Sequence, residues 1–234
     1  MTMISSENKL IVIEGADRVG KTTQVGMLTE ALGEHPVSFG KFPLAGSFFG
    51  KVVYESLRGE HGNFLELSPY LAALPFMVEQ AAAQEELARM LTGGHVILDR
   101  YTPSNLAHQA AKLPPAERPA LVRYIEEGTY GQLHAIRPDV VIVLDMPIEM
   151  SKRIACARGR EDQHESDTGY QRNVRHVYRD LARSRSGWHL IGCVHRGDPL
   201  SPDDVHEKIM DILMPVFGEV SARPVGVLTA GKQR

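Results

Sequence analysis

Two cysteines among 234 residues, Cys156 and Cys193, are too few for a disulfide framework and lack the paired spacing of a zinc site. They read as free thiols of a reducing compartment. Neither charge sign is in excess: 26 Lys and Arg face 29 Asp and Glu, a formal net of −3 with ten His set aside. That balance excludes a basic surface dominating the whole chain, and no nucleic-acid partner is expected. No run approaches the roughly 18 consecutive apolar residues of a membrane span, so no membrane partner is expected either. Residues 1–9 lack a charged start followed by an apolar stretch, which argues against a signal peptide and for a cytoplasmic protein. There is no internal repeat. What remains is ordinary globular composition, 43% hydrophobic and 24% charged. At roughly 100–200 residues per domain, one domain is expected. It should span residues 1–217, with residues 218–234 an untied tail.

The chain alternates short apolar runs with longer helical patterns. Lys9–Glu14, His95–Asp99 and Val140–Asp145 are continuous apolar runs ending in an acid. Such runs suit strands of a parallel sheet buried on both faces. Val37–Phe42 and Trp188–Ile191 are the fourth and fifth candidates. Helices are predicted over Thr22–Leu32, from Pro69 to Leu91 behind a Ser68 cap, and over Pro115–Glu127, Pro147–Ala157, Tyr170–Ser184 and Pro202–Phe217. Pro75 should kink or break the second of these, and Thr92-Gly93-Gly94 should end it. The polar run Arg158–Asp167 has no apolar anchor and reads as a mobile loop. Strand–helix alternation gives the fold class: α/β, three layers, a five-stranded parallel sheet covered by helices on both faces.

Immediately after the first strand stands Gly15-Ala16-Asp17-Arg18-Val19-Gly20-Lys21-Thr22, which matches GxxxxGK[ST]. The chemistry explains the residue types. Gly15 and Gly20 let successive backbone N–H groups turn inward onto phosphate oxygens, with Ala16, Val19 and Thr23 completing the turn. Lys21 brings a point charge to the β- and γ-phosphates, and the Thr22 hydroxyl is placed for Mg²⁺. The loop opens a helix, whose N-terminus also favours anions. A strand before and a helix after make this a P-loop NTPase fold binding ATP. No guanine-reading Asn-Lys-x-Asp is present, because Asn8-Lys9 has Ile11 where Asp is needed, and there is no LSGGQ-like signature. A small-molecule kinase remains, and it needs an acceptor site.

That site is expected at Asp99-Arg100-Tyr101, at the carboxyl end of the third strand. Arg100 can hold an acceptor phosphate in a bidentate fork. Asp99 is a candidate for Mg²⁺, directly or through water.

The chain resembles the thymidylate kinase family through four motifs in order. They are GxDxxGK[ST] with Asp17, Phe42-Pro43 at the end of the second strand, the run Asp99-Arg100-Tyr101-Thr102-Pro103-Ser104-Asn105-Leu106-Ala107-His108, and an Arg-rich stretch from Arg153 to Arg160. The resemblance spans about residues 9–217. It implies phosphoryl transfer from ATP to dTMP with Mg²⁺, and a homodimer built through residues 81–91 and the helix before them. Asp17 would accept from the deoxyribose 3′-OH near the metal, and Arg100 would bind the dTMP phosphate. Phe42 and Pro43 would border the acceptor, and Phe76 would stack on thymine. Ser104, Asn105 and Gln109 would lie beside the base. Arg18 would reach the γ-phosphate, with Arg153, Arg158 and Arg160 supplied by a mobile lid at about residues 153–168. Asp162, Gln163, His164 and Glu165 align with a segment that closes over the acceptor sugar. Three features depart from the family: Gln80 stands where an Arg meets the base, Phe42-Pro43 continues as Leu44-Ala45-Gly46 where an Arg or Tyr near the acceptor phosphate is usual, and His108 stands where an aromatic is linked with excluding a 2′-OH. They keep open another or modified deoxynucleoside monophosphate as acceptor. A nucleotide-binding regulator without turnover is the reading from another class.

Overall fold

The computed structural model describes residues 8–33, 35–157 and 168–217. Its centre is a parallel sheet of five strands: β1 (Leu10–Gly15), β2 (Val37–Lys41), β3 (His95–Asp99), β4 (Val140–Asp145) and β5 (Trp188–Gly192), in spatial order β2-β3-β1-β4-β5. Every residue of β1, β3 and β4 is buried, as their unbroken apolar runs require. Alternate residues feed opposite faces. Leu10, Val12, Val96 and Leu98 pack with Leu87, Met90 and Leu91, while Ile11, Ile13 and Ile97 join the larger cluster with Leu28, Val174 and Ile209. β1 is central and its neighbours belong to the two halves of the chain, so the cleft opens at its carboxyl end. The register sets Asp99 opposite both Ile13 and Lys41, which collects the ends of β1, β2 and β3 at one point.

Nine α-helices are seen among the described residues: α1 (Lys21–Ala31), α2 (Phe48–Leu57), α3 (Pro69–Ala82), α4 (Gln84–Gly93), α5 (Thr102–Ala110), α6 (Arg118–Glu126), α7 (Ile148–Ala157), α8 (Thr168–Ser184) and α9 (Pro202–Phe217). Five depart from expectation: α2 and α5 were not among the predicted helices, and α3, α4 and α6 differ in extent. The long helix does break, but at Ala83 rather than at Pro75, which lies inside α3. At the break the Gln80 carbonyl takes a tight bond from Ala83 N–H (3.2 Å) and one from the Gln84 side chain (2.7 Å). Gln84 also donates to the Tyr101 hydroxyl (2.9 Å) and accepts from Ile136 N–H (2.7 Å), so tertiary bonds end the helix there. Ser68 occupies the cap position but makes no side-chain capping bond. α6 starts later than Pro115 and runs on into a π-helical turn, Glu127–Gln132. A small hairpin pairs β6 (Val194–His195) with β7 (Asp198–Pro199). The loop read at Arg158–Asp167, most of the lid and the tail at 218–234 lie outside the described residues.

α2 was not foreseen, because Gly50 and the Val52-Val53 pair weaken its helical pattern. Its start was legible: the Ser47 hydroxyl accepts from Gly50 N–H at 2.9 Å. The glycine is there for space, since a Cβ at Gly50 would sit 2.0 Å from the Leu44 carbonyl oxygen. In α1 a Cβ at Gly26 would meet nothing within 4 Å. One substitution in two helices should therefore have opposite signs. Gly50→Ala is expected to destabilise by about 2 kcal/mol or more through overpacking. Gly26→Ala should stabilise by up to about 1 kcal/mol through helix propensity. Urea unfolding at an unchanged m-value checks both, and equal signs would contradict the packing described.

Candidate active site

The turn between β1 and α1 forms a phosphate cradle. Gly20 (φ 98°) and Arg18 (φ 62°) take left-handed backbone conformations, which aim neighbouring N–H groups toward one concavity. Ala16 and Val19 are buried and anchor the turn, whereas Thr22 and Thr23 are exposed at the start of α1. The Lys21 ammonium is folded onto this turn, donating to the carbonyls of Gly15 (2.8 Å) and Ala16 (2.7 Å). Burial lowers its pKa to about 8, with nearby Arg100 acting in the same direction. The Thr22 hydroxyl lies 3.5 Å from Asp99 Oδ2, and the buried Asp99 Oδ1 has no hydrogen-bond partner among the described residues. A hydroxyl beside a carboxylate oxygen whose lone pairs are unused is a hard-oxygen donor set, which fits Mg²⁺.

Beside the cradle opens a cavity of about 840 Å³, and Asp17 and Arg100 line the wall facing the P-loop. Their side chains form an ion pair. Gln171 of α8 donates to the second Asp17 oxygen at 2.8 Å. Burial alone would raise the Asp17 pKa; the Arg100 guanidinium overrides it and holds the carboxyl well below its usual range. Burial likewise works against the Arg100 charge, and Asp17 more than restores it. Arg100 itself has φ 69°, an uncommon backbone state for a branched-at-the-end, non-glycine residue at a strand end.

Beneath Arg100 lies Glu14, the last side chain of β1 and fully buried. Oε1 accepts from the backbone N–H of Tyr101 (2.9 Å) and Ser104 (3.1 Å). Oε2 accepts from the hydroxyls of Ser104 (2.7 Å) and Tyr178 (2.7 Å). Tyr101 precedes α5 and offers no side-chain cap, so this carboxylate takes the helix's first N–H groups from a neighbouring strand. Burial raises the pKa of Glu14, and burial together with Glu14 raises that of Tyr178.

The far end of the cavity is aromatic and amide-rich. Phe76, half-buried on α3, meets the Phe64 ring edge-on at 6.0 Å. Phe42 packs on Tyr101 at 5.3 Å, and the Pro43 carbonyl accepts from the Tyr54 hydroxyl at 3.2 Å. Gln80 Oε1 accepts from Thr102 at 2.9 Å, and Asn105 Nδ2 donates to the Ala73 carbonyl at 3.1 Å. Asn105 Oδ1 and both amide atoms of Gln109 are buried and have no partner among the described residues. Glu79 accepts from Leu44 N–H, and burial raises its pKa to about 7. His108 Nε2 lies 3.3 Å from Arg100 Nη1, and Nδ1 lies 3.2 Å from the Tyr170 hydroxyl. Tyr170 donates to the His108 carbonyl (3.0 Å), so it accepts from Nδ1–H, and Nε2 accepts from Arg100. That geometry holds His108 neutral.

Thus Asp17, Phe42, Pro43, Phe76, Gln80, Arg100, Ser104, Asn105, His108 and Gln109 line one cavity. Gly15, Ala16, Val19, Gly20, Lys21, Thr22 and Thr23 form the cradle at its edge, with Asp99 beside Thr22. Arg18 lies in the cradle turn and does not line the cavity. Arg153 is exposed on α7, where it donates to the Met150 sulfur at 2.9 Å, away from the cavity. Arg158 and Arg160 lie outside the described residues, as do Asp162, Gln163, His164 and Glu165. Sequence reasoning missed Glu14, Lys41, Glu79, Gln171 and Tyr178. Only Glu14 carried a local signal, an acid closing an otherwise apolar strand.

Known proteins of one family are similar to this chain. The profile of the thymidylate kinase family matches residues 13–209. Thymidylate kinase of Mycobacterium tuberculosis is 31% identical over 195 residues, covering 78% of this chain and 91% of that protein. A probable thymidylate kinase of Thermococcus onnurineus is 29% identical over 211 residues, covering 87% and 96%. The solved structure of thymidylate kinase from Candida albicans aligns with a TM-score of 0.72 at 21% identity, over 93% of this chain and 97% of that one.

The neutral His108 has a measurable consequence. Burial comes first among the causes that lower its pKa to about 4; Arg100 lowers it further, and Asp17 opposes. The unfolded chain takes up this proton near pH 6.5, the folded chain only near 4. Stability should therefore fall as pH drops through that window, by about 2–3 kcal/mol from this group. Urea midpoints at pH 7 and pH 4.5 should show that loss in the wild type and a smaller one in His108→Gln. An identical loss in both would contradict the neutral imidazole.

Proposed function

The chain belongs to the thymidylate kinase family, and on that premise we propose that it transfers the γ-phosphoryl group of ATP to dTMP, yielding dTDP and ADP. The observation that carries this reading is the meeting of two sites at one ion pair. The P-loop turn and the aromatic, amide-lined cavity share the wall formed by Asp17 and Arg100.

Phosphoryl transfer asks for positioning and charge rather than for a strong base. An oxygen of the dTMP phosphate bonds to the γ-phosphorus as the bond to the β,γ-bridging oxygen breaks, and ADP leaves with the electron pair. No proton need move. The cost is bringing two anionic phosphates together. Lys21 meets it by exchanging the Gly15 and Ala16 carbonyls for β- and γ-phosphate oxygens, which favours its charged form. Arg18 adds a cation from the P-loop itself, and Arg153, Arg158 and Arg160 add others when the lid closes. Arg100 binds the acceptor phosphate, held in place by Asp17 and Glu14, while Asp17 also accepts from the 3′-OH. Thr22, with Asp99 through water, would hold Mg²⁺. The bound ion neutralises charge spread over the β- and γ-phosphates.

At the far end, Phe76 stacks on thymine while Asn105, Gln109 and Gln80 face its polar edge. Asn105 Oδ1 and both amide atoms of Gln109 are buried without protein partners among the described residues, which supports a polar base there. Leu71, Leu74 and Val78 form an exposed apolar stripe along α3 (61%, 39% and 36% exposed), which supports a homodimer joined through this helix. Among the described residues no helix is long and apolar enough to cross a membrane.

Purified protein given Mg·ATP and each deoxynucleoside monophosphate should form ADP with dTMP at a kcat/KM at least tenfold above that with dUMP, dCMP or dGMP. The active species should sediment at about twice the 25.9 kDa chain mass. Preference for another monophosphate would overturn the assignment of the base pocket, and a 26 kDa active species would remove the dimer.

A further inference from the structure

A dTMP phosphate carries close to two negative charges at neutral pH, and the inner site has little charge left over for it. Asp17 is paired with Arg100. The Lys21 ammonium faces the cradle carbonyls rather than the cavity, and Lys21 and Arg100 both have Asp17, Asp99 and Glu14 as acidic neighbours. Among the described residues, the cations lining the cavity are Lys41, Arg58 and Arg100. Arg58 points to the rim and is held by Glu60 at 2.6 Å.

Lys41 differs from both. It ends β2 directly opposite Asp99, one residue before Arg100. Its side chain is 55% exposed, and its ammonium rests 3.5 Å from Asp99 Oδ2, a loose contact. A long flexible stem, a half-solvated head and a distant partner make this charge free to move a few ångströms at small cost. Arg100, by contrast, is fixed by Asp17, Ser104 and His108.

We propose that Lys41 is a second ligand of the acceptor phosphate, leaving Asp99 for the phosphate when dTMP enters. This rests on the function proposed above. Arg100 supplies the fixed geometry and Lys41 the surplus positive charge, so the phosphate of a bound monophosphate is clasped from two adjacent strand ends, β2 and β3. Lys41 touches substrate in this assignment and acts on its charge, not on the base.

The test compares dTMP with thymidine, which shares base and sugar but lacks the phosphate, by calorimetric titration without ATP. Wild-type protein should bind dTMP at least a hundredfold more tightly. Lys41→Met should weaken dTMP at least tenfold and thymidine less than twofold, and Lys41→Arg should recover most of the loss. If Lys41→Met leaves the dTMP-to-thymidine ratio unchanged, or weakens both ligands equally, Lys41 is only a partner of Asp99 and the inference fails while the proposed function stands. If the wild type itself does not distinguish dTMP from thymidine, the acceptor-phosphate site at Arg100 fails, and this inference with it.

Discussion

A carboxylate buried under a helix N-terminus holds this site together. Glu14 ends the central strand with no exposure to solvent and accepts four hydrogen bonds, two from backbone N–H groups and two from hydroxyls. Left bare, such a charge would cost several kcal/mol or more. Satisfied, it ties β1 to the start of α5 and to Tyr178 on α8. Tyr101 and Ser104 are two of the donor residues, and Arg100 immediately precedes them. The uncommon φ of 69° at Arg100 lies where β3 ends and its chain must turn into a helix held by Glu14.

From that anchor the charges alternate outward. Glu14 lies under Arg100, Arg100 pairs with Asp17, and Asp17 is steadied by Gln171. Asp99 sits between Thr22 and Lys41. Asp17 and Arg100 each keep their charge because the other faces it, despite the burial that works against both, whereas at Glu14 burial outweighs its partners and raises the pKa. Such a lattice is organised before substrate arrives. For a reaction that joins two polyanions, arranging charge in advance is most of what a protein can contribute.

How legible this was depended on the range of the interaction. The P-loop was readable because its turn, its charge and its helix start all lie within eight consecutive residues. The central strands were readable because burial on both faces leaves an unbroken apolar run. The break between α3 and α4 was placed wrongly, at Pro75, because the bonds that end the helix come from Tyr101 and Ile136, far away in sequence. α2 escaped because Gly50 answers to the Leu44 carbonyl rather than to helix propensity. Gln171 and Tyr178 carry no local mark of their roles, since each acquires its partner only when α8 packs against the end of β1. The family resemblance brought Phe76 and Asn105 into view, and the fold then placed them beside Gln109 and Gln80 on one cavity.

The central claim is that Glu14 positions Arg100 for the acceptor phosphate. The direct measurement is the kinetics of Glu14→Gln, with folding verified by near-ultraviolet circular dichroism. The substitution keeps the shape of the side chain but removes its charge and turns an amide N–H₂ toward donors. In this variant kcat/KM for dTMP should fall at least a hundredfold while the affinity for ATP stays within threefold. A folded Glu14→Gln protein that phosphorylates dTMP within threefold of the wild-type rate would contradict it.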